Sequence, residues 1–186
     1  LTHTSYANEY KVKSYERLEY LGDAVLELVM SEYLFLKGTE EEGQMTKHRS
    51  QYVCENALYE YSKRLGLNQY LLLGHGEEES GGRQRKAIVA DIFESFLGAI
   101  YLDQGYEFAK AFVHQHVIEL IEKGEVELID DYKSILQERV QTDRRSLHYV
   151  VTKEEGPAHD KRFTVEVRID EIIYGIGTAH SKKEAE

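Results

Sequence analysis

The chain has 186 residues, which suits one domain of ordinary size or two small ones. Its 41% hydrophobic and 31% charged side chains describe a soluble globular protein and exclude a disordered one. No apolar run approaches the roughly 18 residues of a membrane helix, so no membrane partner is expected. One cysteine, Cys54, excludes an intrachain disulfide and fits a reducing, cytoplasmic setting.

The net charge of −11 argues by itself against a nucleic-acid partner. Its distribution changes that reading. Residues 1–124 carry 13 basic and 20 acidic side chains, 125–131 add four acids, and 132–186 carry ten of each sign. The acid is concentrated in the first part, and the last part is free to present a basic face.

Hydrophobic periodicity predicts helices near 15–36, 45–65, 86–103 and 107–122, separated by glycine- and charge-rich loops at 37–43 and 74–82. In the first helix Glu16, Glu19 and Asp23 fall within about 60° of one another. Leu18, Leu21, Val25 and Leu28 fall on the opposite side. Like charges at these spacings repel, and a divalent cation, which takes carboxylate and water oxygens, would offset the repulsion. On helix geometry alone a solvated acidic face is the commoner explanation.

Cys54, among apolar neighbours, reads as a small buried hydrophobe. Arg83, Arg85 and Lys86 stand just before the 86–103 helix and read equally as a solvated loop or as ligands for backbone phosphates. In that helix Asp91 and Glu94 are i, i+3, beside an apolar sector of Phe93, Phe96, Leu97 and Ile100. An Asp-x-x-Glu pair is by itself common surface decoration. His114 and His116 are too close in sequence to share a helix face, which argues against a zinc site.

Near 124 the character changes, and the organisation predicted is a domain over 1–124, a linker over 125–130 and a second domain over 131–186. The second part opens with an amphipathic helix over 132–141. Strands follow over 147–154, around Phe163-Val165-Val167-Ile169 with alternating burial, and over 171–179. Ser181 with Glu184 is a capping-box pattern that starts a last helix. The fold class expected is an all-α domain followed by a small α+β domain in the order αβββα.

Glu16-Arg17-Leu18-Glu19-Tyr20-Leu21-Gly22-Asp23-Ala24-Val25-Leu26 closely resembles the signature of the ribonuclease III family. Tyr15 and Tyr20 stand where that family usually has Asn and Phe, and every acid is in place. Asp91-Ile92-Phe93-Glu94 resembles the family's second motif. The resemblance implies a site built from Glu19, Asp23, Asp91 and Glu94, with Glu19, Asp91 and Glu94 as metal ligands and Asp23 and Glu94 as the catalytic pair, Asp23 holding the attacking water. It implies Mg²⁺ as cofactor, with Mn²⁺ able to substitute, and supporting roles for Glu16 and Glu42. Leu1-Thr2-His3-Thr4-Ser5-Tyr6 matches the segment preceding the signature, so the first three residues are expected to end an earlier helix that the sequence lacks.

Residues 131–186 resemble a double-stranded RNA-binding domain short of its end. That resemblance implies 2′-hydroxyl contacts from Gln137 and Glu138, a minor-groove contact from His159, and phosphate contacts from Lys182 and Lys183. Together the resemblances imply a cytoplasmic, Mg²⁺-dependent endonuclease that hydrolyses double-stranded RNA to 5′-phosphate and 3′-hydroxyl ends in rRNA and mRNA processing. It would act as a homodimer with Tyr20 at the contact. The first alternative is a non-catalytic double-stranded RNA-binding protein on the same fold, against which the retained acids argue. The second is an unrelated acidic helical protein that binds Ca²⁺ or a basic partner.

Overall fold

Leu1–His3 run extended beside Leu72. Thr2 and Leu72 form a parallel bridge, the His3 N–H donates to the Leu72 carbonyl at 3.0 Å, and the Leu72 N–H donates to that of Leu1 at 2.9 Å. These residues therefore do not end a helix. Their backbone groups find partners in a distant segment instead of in a preceding turn. The computed structural model describes residues 1–125, 132–157 and 161–185. The chain divides into two compact units, Leu1–Ile129 and Asp130–Glu186.

The first unit is helical. α1 (Thr4–Tyr10) starts at His3, whose ring accepts from the Ser5 N–H, and stops where Lys11 turns to φ 55°. α2 (Glu16–Lys37) carries Glu16 and Glu19 in its first turn, where carboxylates complement the helix dipole. Its buried stripe is Gly22, Val25, Leu26, Val29, Met30, Tyr33 and Leu34. Leu28 is exposed and Leu18 and Leu21 are half-buried, so the buried side lies closer to the acids than the leucine line implied. The reason is Gly22: a helix packs where no side chain holds it off.

α3 (Glu42–Tyr52) has no fully buried residue, whereas α4 (Glu55–Leu65) buries Ala57, Leu58, Tyr61 and Ser62. These are two helices, not the single one expected over 45–65. Cys54 breaks the run in extended conformation, φ −71° and ψ 159°. The Tyr61 hydroxyl, reaching back to the Tyr52 carbonyl at 3.1 Å, fixes the corner. Cys54 is half-buried there, its thiol donating to the Gln51 carbonyl at 3.2 Å.

Short α5 (His75–Glu79) leads to α6 (Lys86–Gln104), which packs against both α2 and α4. α7 (Tyr106–Val113) continues through a π-helical stretch, His114–Ile118, into α8 (Glu119–Glu122). Leu26, Met30, Tyr61, Phe93, Leu97 and Val117 are among the fully buried residues of this core, and the Tyr61 and Phe93 rings lie 5.5 Å apart.

The second unit holds α9 (Tyr132–Thr142), β1 (Leu147–Glu155), β2 (Arg162–Ile169), β3 (Ile172–Ala179) and α10 (Lys182–Ala185). The strands form an antiparallel sheet in the order β1-β2-β3. Val140, Val165, Ile169 and Ala185 are buried, and Gly177 is the site where the α10 backbone crosses β3. The alternation expected in β2 is incomplete. Val167 is only half-buried, because the β2–β3 register shifts between Val167 and Arg168. Asp170 and Glu171 turn β2 into β3, both at positive φ (48° and 68°). The Asp170 carboxylate stabilises that turn by accepting from Arg145 Nε at 2.6 Å and the Ser146 N–H at 2.8 Å. The Glu184 N–H donates to Ser181 Oγ at 3.2 Å, as the capping pattern predicted.

Candidate active site

The acids of α2 and α6 are brought together by two glycines. A Cβ on Gly22 would fall on the Glu94 carbonyl, and one on Gly98 would fall on that of Leu18 and 3.1 Å from the Gly22 nitrogen. The helices therefore meet backbone to backbone. Glu19 and Asp23 flank Gly22 on α2, while Asp91 and Glu94 lie within two turns before Gly98 on α6. Asp23 is exposed, and Glu19, Asp91 and Glu94 are half-buried.

The electrostatics follow from this crowding. Burial, then the charges of Asp23, Glu19, Asp91 and Glu27, push Glu94 up to about 8. Burial, then Asp91, Glu16 and Asp23, push Glu19 up to about 7. Asp91 is also raised, by burial and then by Glu55, with His3 acting in the opposite direction. Tyr15, buried just before α2, is raised by burial and by the charges of Asp91, Glu19, Glu16 and Glu77. Proton uptake at Glu94 and Glu19 lowers the repulsion within this group of carboxylates.

A hard divalent cation suits this set, since every donor is a carboxylate oxygen. As the side chains stand, no three His, Cys, Asp or Glu among the described residues close on one point. The set fits a metal in donor type and charge, and its side chains would have to rotate inward to hold one.

Other residues singled out in the sequence are placed as follows. Glu16 is exposed and accepts from Ser14 Oγ at 2.8 Å. Glu42 opens α3, where it accepts from Thr46 Oγ1 at 3.3 Å and lines a groove with Ser31, Phe35 and Met45. It is not among the charges that act on Glu94 or Glu19. Tyr20 is 82% exposed. Arg83 is engaged inside the chain, with Glu78 and with the carbonyls of Asn68 and Leu71, and Arg85 with Glu77 and Ser80. The two arginines are thus largely spent on contacts within the first unit.

In the second unit Gln137 is exposed on α9. Lys182 Nζ pairs with Glu154 at 2.8 Å and sits 5.3 Å from the centre of the Phe163 ring. His159 lies outside the described residues, as do the side chains of Glu138 and Lys183. Of the expected linker, Glu125 is held by Arg64 at 2.9 Å, and 126–130 lie outside the described residues.

Three residues near the acids escaped the sequence reading. Glu27 was accessible to helix arithmetic, being i+4 from Asp23. His3 and Glu55 act on Asp91 from far along the chain, and nothing local signals them.

A family profile described as Ribonuclease-III-like matches residues 1–121, and one described as Double-stranded RNA binding motif matches 132–186. Proteins called Ribonuclease 3 from Bacillus cereus (strain AH187) and Bacillus anthracis (strain A0248) are each 46% identical over 190 residues, spanning 100% of this chain and 78% of theirs. A structure of the nuclease domain of ribonuclease III from Campylobacter jejuni, concerned with flexibility in the region of dimer formation, superposes with a TM-score of 0.61 at 39% identity. It covers 64% of this chain and 82% of its own. A second structure of that domain gives 0.58 at 38% identity, covering 64% and 80%. No helix among the described residues is long and apolar enough to cross a membrane.

Proposed function

The chain belongs to the ribonuclease III family, and on that premise we propose that the acids of α2 and α6 cut double-stranded RNA. Metal dependence comes with the family. Mg²⁺ is the ion proposed, with Mn²⁺ able to substitute, held by Glu19, Asp91 and Glu94. When bound, such an ion supplies a Lewis acid beside the phosphoryl group and makes a nearby water more acidic. Asp23, exposed at the edge of the cluster, orients the attacking water through a hydrogen bond. Glu94 would hold the ion and, with Asp23, forms the proposed catalytic pair. Glu16 supports the site through its charge, which reaches Glu19, and Glu42 is proposed to support it from the groove between α2 and α3. The products are 5′-phosphate and 3′-hydroxyl ends.

The second unit presents the duplex. A-form RNA hides its bases in a deep groove, so such a domain reads shape across minor grooves. Gln137, Glu138 and His159 are the proposed 2′-hydroxyl and groove contacts, and Lys182 and Lys183 the phosphate contacts. For Lys182 this requires leaving Glu154, an exposed pair that costs little to open. Two copies pair through the helical unit with Tyr20 at the contact, so that one dimer cuts both strands. The setting proposed is the cytoplasm, on rRNA and mRNA precursors.

The observation that carries this reading is the meeting of Glu19, Asp23, Asp91 and Glu94 at the Gly22–Gly98 crossing. Long duplex RNA incubated with the full chain is expected to be cut in Mg²⁺ and left intact in EDTA. Binding without cutting in Mg²⁺ would overturn the enzymatic reading in favour of an RNA-binding protein on the same fold.

A further inference from the structure

α3 has no fully buried residue, so its attachment to α2 depends heavily on polar contacts. The main one is Arg49. Its Nε forms an ion pair with the Glu27 carboxylate at 2.6 Å and its Nη1 donates to Ser31 Oγ at 2.8 Å, while Ser31 Oγ donates in turn to the Glu27 carbonyl at 2.6 Å. Glu27 and Ser31 are one turn apart on α2 and hold the guanidinium at Nε and Nη1. The other terminal nitrogen, Nη2, donates no hydrogen bond among the described residues, and the side chain is 37% exposed.

This distinguishes Arg49 from the other paired arginines of the first unit. Arg64 gives both terminal nitrogens to Glu125, Arg83 gives all three nitrogens to Glu78 and two carbonyls, and Arg85 gives both terminal nitrogens to Glu77 and Ser80. Arg49 alone of these four keeps a terminal nitrogen free.

Its location matters as much. Glu27 is four residues beyond Asp23, about 6 Å along the same helix face, and its charge reaches Glu94. Arg49 therefore stands as a fixed cation at the border of a strongly acidic site. An RNA strand lying across that site carries phosphates on either side of the bond to be cut, and these meet the field of Glu16, Asp23 and Glu27. A groove of ≈ 470 Å³ between α2 and α3 is lined by Ser31, Phe35, Glu42, Met45 and Arg49.

We propose that Arg49, presented by Glu27 and Ser31, holds through Nη2 a backbone phosphate of the RNA strand next to the one at the acids. This rests on the nuclease reading of the α2–α6 site. A planar guanidinium can be held in the protein at two of its nitrogens and offer the third to a phosphate oxygen, which a lysine, with its single nitrogen, cannot do. Arg49 is then a positioning residue that sets the strand's register at the acids.

The test is duplex RNA binding by the full chain as a function of salt, in a Glu94→Gln background so that the RNA stays intact. One lost phosphate contact lowers the log–log salt slope by about 0.9, which makes the affinity loss between about 50 and 200 mM salt roughly 3.5-fold smaller. Arg49→Ala is expected to show that change. Glu27→Gln, which loosens the grip but keeps the cation, is expected to retain the parental slope. Arg49→Lys keeps the charge without the additional nitrogens and is expected to keep the slope while binding more weakly. If Arg49→Ala and Glu27→Gln lower Tm alike and both keep the parental slope, Arg49 only fastens α3 and the proposal is overturned. If Arg49→Ala does not fold, undiminished affinity of Arg49→Lys overturns it. Failure of the nuclease reading shows separately, as wild-type protein that does not cut duplex RNA in Mg²⁺.

Discussion

Gly22 and Gly98 touch through their backbones, with a Cβ on either colliding with a carbonyl of the opposite helix. That contact sets the distance between α2 and α6, and with it the separation of the acid pairs each helix carries.

Gly22→Ala is accordingly expected to force the helices apart. Overpacking of this kind costs about 2–3 kcal/mol, a Tm loss of roughly 5–10 °C for a unit of this size. Cleavage should fall more than duplex binding, because the acids move while the second unit does not change. Wild-type Tm together with wild-type cleavage in Gly22→Ala would show that the contact does not set the site.

The raised carboxyl groups of Glu94 and Glu19 make stability depend on pH in a definite direction. Near about 8 and 7, they bind protons in the folded state that the unfolded chain has already released. Their contribution is therefore present below the ordinary carboxylate range and is lost as pH rises through 7 and 8. In EDTA the Tm of the first unit is expected to fall from about pH 5 to about pH 9. Glu94→Gln should flatten that fall, and Mg²⁺ should restore Tm at the alkaline end by neutralising the carboxylates that are ionised there. A wild-type Tm constant over this range in EDTA would contradict the crowding of the acids.

Asp170 works in the opposite sense. Arg145 and the Ser146 N–H and hydroxyl hold its carboxyl down to about 2. The stability it contributes is present above the ordinary carboxylate range and is lost as pH falls through about 2. Asp170→Ala should lower the Tm of the second unit at neutral pH, because it removes these bonds and places alanine at positive φ. Asp170→Asn should lower it less, since asparagine tolerates that backbone. Equal Tm values for all three proteins would remove Asp170 from the account of the turn.

Tyr20, 82% exposed on α2, has a phenol ring with no packing role inside its own chain. Replacing it by Asp places a charge in the proposed subunit contact and is expected to weaken the dimer at least tenfold, about 1.4 kcal/mol. Sedimentation over a concentration series reads this directly. A dimer of unchanged affinity would move the contact elsewhere on the helical unit.

Much of this was legible in the residues. The helix predicted over 86–103 runs Lys86–Gln104, and the strand predicted over 147–154 runs Leu147–Glu155. The faces of Glu16-Glu19-Asp23 and Asp91-Glu94 follow from helical periodicity, which acts over one or two turns. The break at Cys54 was not legible, because the Tyr61–Tyr52 bond that fixes it depends on how α4 is buried. Nor was the extended course of Leu1–His3, whose partner Leu72 is seventy residues away.

What the sequence by itself determined was the inventory: two acid-bearing helices, a helical part, an αβββα part, and a glycine in each acid helix. Periodicity and backbone propensity are local, and these features needed nothing else. Only the tertiary structure decided that Gly22 meets Gly98, that Glu55 and His3 act on Asp91, and that Arg83 and Arg85 are spent on contacts within the first unit while Arg49 keeps Nη2 free of hydrogen bonds. Those outcomes depend on which distant segments share the core, and burial, not sequence spacing, sets the charge that each acid carries.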